Sequence, residues 1–297
     1  MHTYGKIMQN GAVCFNSLNV DMDNFSVDAY APKEIAARIE NAGIVKSGGD
    51  PLGVFALAIL AGAFIAFGAL FYTLVTYDNA DIATGVMRLL GGFVFCLGLI
   101  LVVVAGAELF TGNNLIVMAY VDKKVTLPQL LQNWVIVYLG NFVGAIGVLV
   151  LIYFSGHWLI GHGAVGAKAI TIANDKVNLT WMEAFTRGIL CNILVCLAIW
   201  LCFAGRTVID KVVAIIFPIT AFVALGFEHS VANMYFISAG LLAKQQPELV
   251  QLVTNLSLES LTVSGFIWNN LLPVTLGNII GGSVFVGLFY WFIYIRK

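Results

Sequence analysis

The chain is predicted to be an all-α polytopic membrane protein, with six transmembrane helices in a 3+3 inverted repeat and helices two and five interrupted. Three observations predict this. Of the 297 residues, 60% are hydrophobic and only 10% are charged, with a mean hydropathy of +0.92, against about 25% charged in soluble domains. Six apolar runs, at about 52–76, 86–121, 129–154, 181–204, 211–242 and 266–294, mostly meet the roughly 20 residues that a crossing needs. The second and fifth runs are longer than one crossing needs and break at similar sequences: Gly106, one residue, then Glu108, and Gly226, one residue, then Glu228. The runs do not alternate apolar and polar residues, which excludes a transmembrane barrel.

Residues 1–31 are expected to form a poorly structured tail in which Met22 could be an alternative start. Residues 32–50 read as a cytoplasmic amphipathic helix and linker. Pro32 suits the first turn, Ile35 and Ile39 share a face, and Gly43 can end the helix. Asp50-Pro51 reads as the cap and first position of span one, and residues 51–297 form the six-helix domain. The first apolar run begins only after Asp50, so no cleavable signal peptide is expected.

Lys and Arg set the orientation. Ten fall in the N-terminal segment, the 2–3 and 4–5 loops and the C-terminus, and five on the other side. The positive-inside rule then puts both termini in the cytoplasm, with Trp291 and Tyr294 in the inner aromatic belt.

The halves repeat. Leu139-Gly140-Asn141 to Gly144 in span three answers Leu276-Gly277-Asn278 to Gly281 in span six. With three spans per half, the second half must insert upside down, which places a shared site near the midplane. Gly140/Gly144 and Gly277/Gly281 are small-xxx-small pairs for close helix packing. The five cysteines show no metal-ligand spacing and read as buried small hydrophobes, so neither metal nor cofactor is expected.

His229 is the histidine that lies within a span, beside a break and next to Glu228. Ionisable groups in membrane spans mark pathways by default, so it is a candidate proton donor and pH sensor. Thr111, Asn113 and Asn114 at the first break and Asn233 at the second either cap the half-helices or face a pore. Glu108 and Glu228 are expected to be structural, each accepting N–H bonds from its own loop. Asn192, in apolar span four, needs a partner and is placed facing the centre. Consecutive Glu228, His229 and Ser230 cannot face one another as a triad, and a single intramembrane His is too few for paired haem ligation. No nucleic-acid-binding character is present.

Five motifs in order resemble the formate–nitrite transporter family: Glu-Leu-Phe-Thr-Gly-Asn (108–113), Gly-Asn-Phe-Val-Gly-Ala (140–145), Cys-Asn-Ile-Leu-Val-Cys-Leu-Ala (191–198), Gly-Phe-Glu-His-Ser-Val-Ala-Asn-Met (226–234) and Leu-Pro-Val-Thr-Leu-Gly-Asn-Ile-Ile-Gly-Gly (272–282). The resemblance runs from about Pro32 to Tyr294 and is strongest to the formate channel branch, although Gly112 is shared with nitrite-type members. It implies an aquaporin-like protomer in a homopentamer of the bacterial inner membrane, with a substrate pore in each subunit. It also implies that His229 is the central pore histidine, with Thr111 and Asn192 as polar neighbours. Phe95, Leu99 and Phe222 resemble a cytoplasmic constriction, and Leu109, Phe110 and Val195 a periplasmic one. Lys176 resembles a vestibule lysine that attracts anions. The helix around 33–43 resembles a gating segment, where a cytoplasmic formate-metabolising enzyme could dock. The expected function is pH-dependent, bidirectional passage of formate, with proton-coupled uptake at low pH. Nitrite, hydrosulfide or other small monovalent anions are the alternative substrates.

Overall fold

The computed structural model describes residues 30–78 and 82–296; the expectations for the 1–29 tail, Met22 and Cys14 lie outside them. The described residues form helices joined by short loops.

The first half runs α1 (Pro32–Ser47), α2 (Pro51–Val75) and α3 (Thr84–Ala105). A break follows, then α4 (Phe110–Asn113), a 3-10 turn (Asn114–Ile116), α5 (Val117–Val121) and α6 (Leu127–Phe154). The second half runs α7 (Ala164–Val177), α8 (Trp181–Ala204) and α9 (Val208–Ala224), then a break and α10 (Ser230–Ala243). After the short α11 (Pro247–Val250) comes a last crossing, 265–294, built from α12 (Leu272–Ile280) and α13 (Phe289–Tyr294) with π-helical stretches before and after α12.

Local chemistry sets the ends. Asp50 accepts from Gly53 N at 2.8 Å, and Pro51 opens α2. Thr126, Thr180 and Thr207 cap α6, α8 and α9. Helix α1 does not stop at Gly43 as expected; it continues to Ser47. Gly43 lets α1 press onto the chain after the first break, where an added Cβ would lie 3.3 Å from Ile116 Cα.

Helices α2, α3, α6, α8 and the 265–294 crossing are each long and apolar enough to span a membrane. The remaining crossing is shared by α9 and α10, on either side of the second break. Helix α2 packs on α3 and α6, as α8 packs on α9 and α12, and α3 against α9 joins the halves. The contacts depend on glycine. An added Cβ would strike Asn141 O from Gly62, Ile59 O from Gly144, Phe185 O from Gly277 and Ile189 O from Gly281.

The repeat is longer than three crossings. Residues 164–177, which lie between the predicted spans, form α7, which stands to the second half as α1 stands to the first. Helix α7 was hidden because its 14 residues carry Lys168, Asp175 and Lys176 and are too few and too polar for a span. Ile35 and Ile39 of α1 are buried with Leu115, Met118 and Trp200, flanked by Trp291 and Tyr294. Lys124 further ties Glu40 of α1 at 2.6 Å to the α5–α6 loop. Burial lifts the Glu40 carboxyl above its ordinary range, and Lys124 opposes that shift.

Gly144→Ala should destabilise the protein by about 1–3 kcal/mol, the usual cost of overpacking, because the backbone of Ile59 blocks the new methyl. Gly147→Ala, where a Cβ meets nothing within 4 Å, should leave the melting temperature of the purified protein unchanged in the same thermal scan.

Candidate functional site

The site is built by the two breaks. Gly106 (φ +77°) and Gly226 (φ +74°) end α3 and α9 in the left-handed region, which glycine adopts at no steric cost. The chain then runs extended before the next helix begins at Phe110 or Ser230. Each new helix start exposes N–H groups inside the membrane, where water cannot satisfy them.

An asparagine from the neighbouring crossing satisfies each start. Asn141 Oδ1 accepts from Phe110 N at 2.9 Å, while its Nδ2 donates to Glu108 O (2.9 Å) and Ala58 O (2.8 Å). Asn278 repeats this: Oδ1 accepts from Ser230 N at 2.9 Å, and Nδ2 donates to Glu228 O (3.0 Å) and Gly188 O (2.8 Å). Neither asparagine was singled out from the sequence. The signal was the repeated Leu-Gly-Asn, of which only the glycines were given a role.

A charged quartet flanks each break. At the first, Lys46 Nζ donates to Glu108 Oε1 (2.8 Å) and Asn113 Oδ1 (3.1 Å). Asn113 Nδ2 reaches Glu108 Oε2 (2.7 Å) and Asn133 Oδ1 (2.9 Å), and Asn133 Nδ2 closes the ring on Lys46 O (3.0 Å). At the second, Lys176 donates to Glu228 Oε1 (2.8 Å), Asn233 Nδ2 to Glu228 Oε2 (2.7 Å) and Asn270 Oδ1 (2.7 Å), and Asn270 Nδ2 to Lys176 O (2.9 Å). Three expectations change here. Glu108 and Glu228 accept from lysine and asparagine side chains rather than from their own loops' backbone. Lys176 lines the cavity beside the centre, and its ammonium, expected to attract anions, is paired with Glu228. Asn113 and Asn233 are struts of these rings. Lys46, Asn133 and Asn270 were given no site role from the sequence, because each lies far along the chain from the glutamate it serves.

The two half-helices meet at the centre. Thr111 Oγ1 lies 2.9 Å from His229 Nε2, and His229 Nδ1 accepts the N–H of Ala232 at 3.1 Å. A backbone N–H can only donate, so Nδ1 carries no proton and Nε2–H faces Thr111: His229 is the neutral imidazole. With Nδ1 spent on Ala232, the expected proton donation from His229 requires that its cap on α10 break first and Nδ1 take a proton. Asn192 is a strut rather than a pore wall. Its Nδ2 is within 2.7 Å of Asn278 O, 2.8 Å of Asn114 Oδ1 and 3.2 Å of Thr111 O, which holds the Thr111 backbone and spends Asn114 on the same contact.

Apolar side chains close the centre on both sides. Phe95 and Phe222 meet edge to face at 5.7 Å, Phe222 stacks on His229 at 6.0 Å, and Phe236 stacks on Phe95 at 6.4 Å. They line a cavity of about 90 Å³ shared with Lys176, on the α7 face. Leu109 lines a cavity of about 610 Å³ with Lys46 and Glu108, on the face of α1 and α13. Phe110 is braced edge to face by Tyr138 at 4.8 Å, and Leu99 and Val195 are buried. The expected sides of the constrictions are therefore exchanged. If α1 is cytoplasmic, Leu109 belongs to the cytoplasmic pinch, and Phe95 and Phe222 to the outer one. Phe236, unmarked in the sequence, joins the pinch on the α7 face.

The formate/nitrite transporter family profile matches residues 33–292. The chain is 43% identical over 274 residues to the formate channel FocA of Escherichia coli K12, covering 91% of this chain and 96% of that protein. It is 43% identical over 265 residues to FocA of Haemophilus influenzae, covering 88% and 93%. Among solved structures, it resembles a pentameric formate channel with formate bound (TM-score 0.77, 42% identity, 83% of this chain and 98% of that one). It also resembles an FNT family ion channel (TM-score 0.72, 31% identity, 88% and 97%).

Lys176→Met should cost about 3–5 kcal/mol, because it strands the buried Glu228 carboxylate. Adding Glu228→Gln should recover much of that loss, and denaturant titration of the two single variants and the double variant reads the coupling.

Proposed function

Since the chain belongs to the formate/nitrite transporter family, we propose that it carries formate across the membrane through a pore in each protomer of a homopentamer. It is a multi-pass membrane channel and not an enzyme. The observation that carries the reading is the meeting of Thr111 and His229 at 2.9 Å, between two apolar pinches.

The centre suits an anion that is about to lose its charge. The N-termini of α4 and α10 converge there, and helix N-termini favour negative charge. His229 Nε2–H and Thr111 Oγ–H are the donors an oxyanion can take when their mutual bond opens. Formate is a carboxylate with a pKa near that of Asp, about 4. A bare anion crossing Phe95 and Phe222 or Leu109 would lose its hydration at heavy cost. Desolvation at the centre raises formate's proton affinity, so neutral formic acid passes the second pinch far more readily. The proton comes from solvent, or from His229 after Nδ1 has released Ala232 and taken a second proton. The second route couples passage to the start of α10, giving efflux near neutral pH and proton-coupled uptake when the outside is acidic. Nitrite and hydrosulfide, small and monovalent, are the alternative cargoes.

The excess of Lys and Arg on the α1 face supports an inner-membrane location with α1 and the C-terminus cytoplasmic. The outward residues of α1, among them Lys33, Glu34 and Asn41, are exposed. They offer a cytoplasmic formate-metabolising enzyme a polar docking face.

Proteoliposomes should take up formate faster at an external pH of about 5 than about 7, the range in which an ordinary His titrates, and faster than nitrite or hydrosulfide. Negligible formate flux beside fast nitrite or hydrosulfide flux would move the protein to another branch. Thr111→Val should slow formate about tenfold, the equivalent of one buried hydrogen bond of about 1.4 kcal/mol. His229→Asn should flatten the pH dependence; a response as steep as the parent's would remove His229 from the coupling.

A further inference from the structure

The cavity on the α1 face is far larger, and more positive, than a one-carbon anion requires. It measures about 610 Å³ and is lined by Arg38, Lys46, Arg206 and Lys211, with Glu108 as its carboxylate. Glu108 is committed to Lys46 at 2.8 Å. Among the described residues, no carboxylate pairs with Arg38, Arg206 or Lys211. The nearby Asp210 is turned instead to the backbone N–H groups of Arg206 and Thr207, at 2.8 Å each. Three positive charges are thus left over at one opening. Two of them are held in place: the guanidiniums of Arg38 and Arg206 lie 3.9 and 4.9 Å from the ring centre of Tyr30, whose backbone N–H is fixed to Ala204 O at 3.2 Å. On the α7 face, the cavity around Lys176 is about 90 Å³ and that lysine is paired, and a second cavity of about 470 Å³ is lined by Lys168 and His162 but by no arginine.

We infer that this cavity binds a multiply charged phosphate compound, a diphosphate or an organic diphosphate, which plugs the channel from the α1 face. Arginine presents its N–H donors as a planar fork that fits phosphate oxygens two at a time. Two arginines fixed against one ring, with Lys211 beside them, match a ligand with more than one charged group. The volume falls within the roughly 300–1,000 Å³ of small-molecule sites. Such an anion cannot go further, because the path narrows at the buried Leu109, where a multivalent charge could not shed its water. Formate passage and the binding of a phosphate metabolite would then compete at one opening.

Titration calorimetry of the full-length protein in lipid nanodiscs, at constant ionic strength, tests this with pyrophosphate, ADP, inorganic phosphate and sulfate. Pyrophosphate should bind once per protomer, at least tenfold tighter than phosphate or sulfate. Arg38→Gln with Arg206→Gln should weaken it at least tenfold, while Lys168→Gln, on the α7 face, should leave it unchanged. ADP tighter than pyrophosphate identifies a nucleotide as the source, and equal affinity identifies the diphosphate alone. Equal binding of sulfate and pyrophosphate, or binding indifferent to both arginines, would overturn the inference. Across planar bilayers, pyrophosphate should block formate flux from one chamber only, and block from both would also overturn it. Calorimetry does not need formate to pass, so intact binding without formate flux would count against the transport reading alone.

Discussion

The structure depends on one constraint: a helix that starts inside a bilayer must have its free N–H groups satisfied by protein. Both breaks meet it the same way. Asn141 and Asn278 each bridge a helix start, the carbonyl of the preceding glutamate and a carbonyl of a neighbouring crossing. The small residues follow from this. The asparagine's crossing must lie against its neighbour's backbone, and that contact tolerates no Cβ at Gly62, Gly144, Gly277 or Gly281. Packing glycines and polar clamps are two sides of one requirement.

The charged rings are a second layer on the same frame. A carboxylate at this depth is costly when alone, so Glu108 and Glu228 each take a lysine and an asparagine at 2.7–2.8 Å. The lysines come from α1 and α7, which explains why the repeat unit includes a short helix before its three crossings. These pairs leave the centre without a net charge of its own. What remains there is a pair of helix starts and two hydrogen-bonding side chains between apolar pinches, an arrangement that can attract an anion without trapping it.

The halves are alike where they hold the backbone and differ where they meet at the centre. Aligned on Gly106 and Gly226, Leu109 corresponds to His229 and Phe110 to Ser230. One break therefore contributes a pinch and the other a titratable ring. The cavities beside the centre differ as well: about 610 Å³ on the α1 face, lined by cations that no described carboxylate pairs, and about 90 Å³ and aromatic next to His229 on the α7 face.

The crossings, the inverted repeat and the positions of both breaks were legible in the sequence, and Thr111 and His229, which the structure brings together, stood out beside those breaks. Hydropathy is a local sum, and Gly-x-Glu inside an apolar run is a local contradiction that only a broken helix resolves. Tertiary structure alone decided which partners those residues take. Lys46 and Glu108 are 62 positions apart, and Asn278 and Glu228 are 50 apart; no periodicity links them. It also bound Asn192 as a strut, spent His229 Nδ1 on capping α10, revealed α7, and set which pinch lies towards α1 and which towards α7. Each of these is settled by how far one crossing reaches past another, and that distance is set by packing between segments remote in the chain.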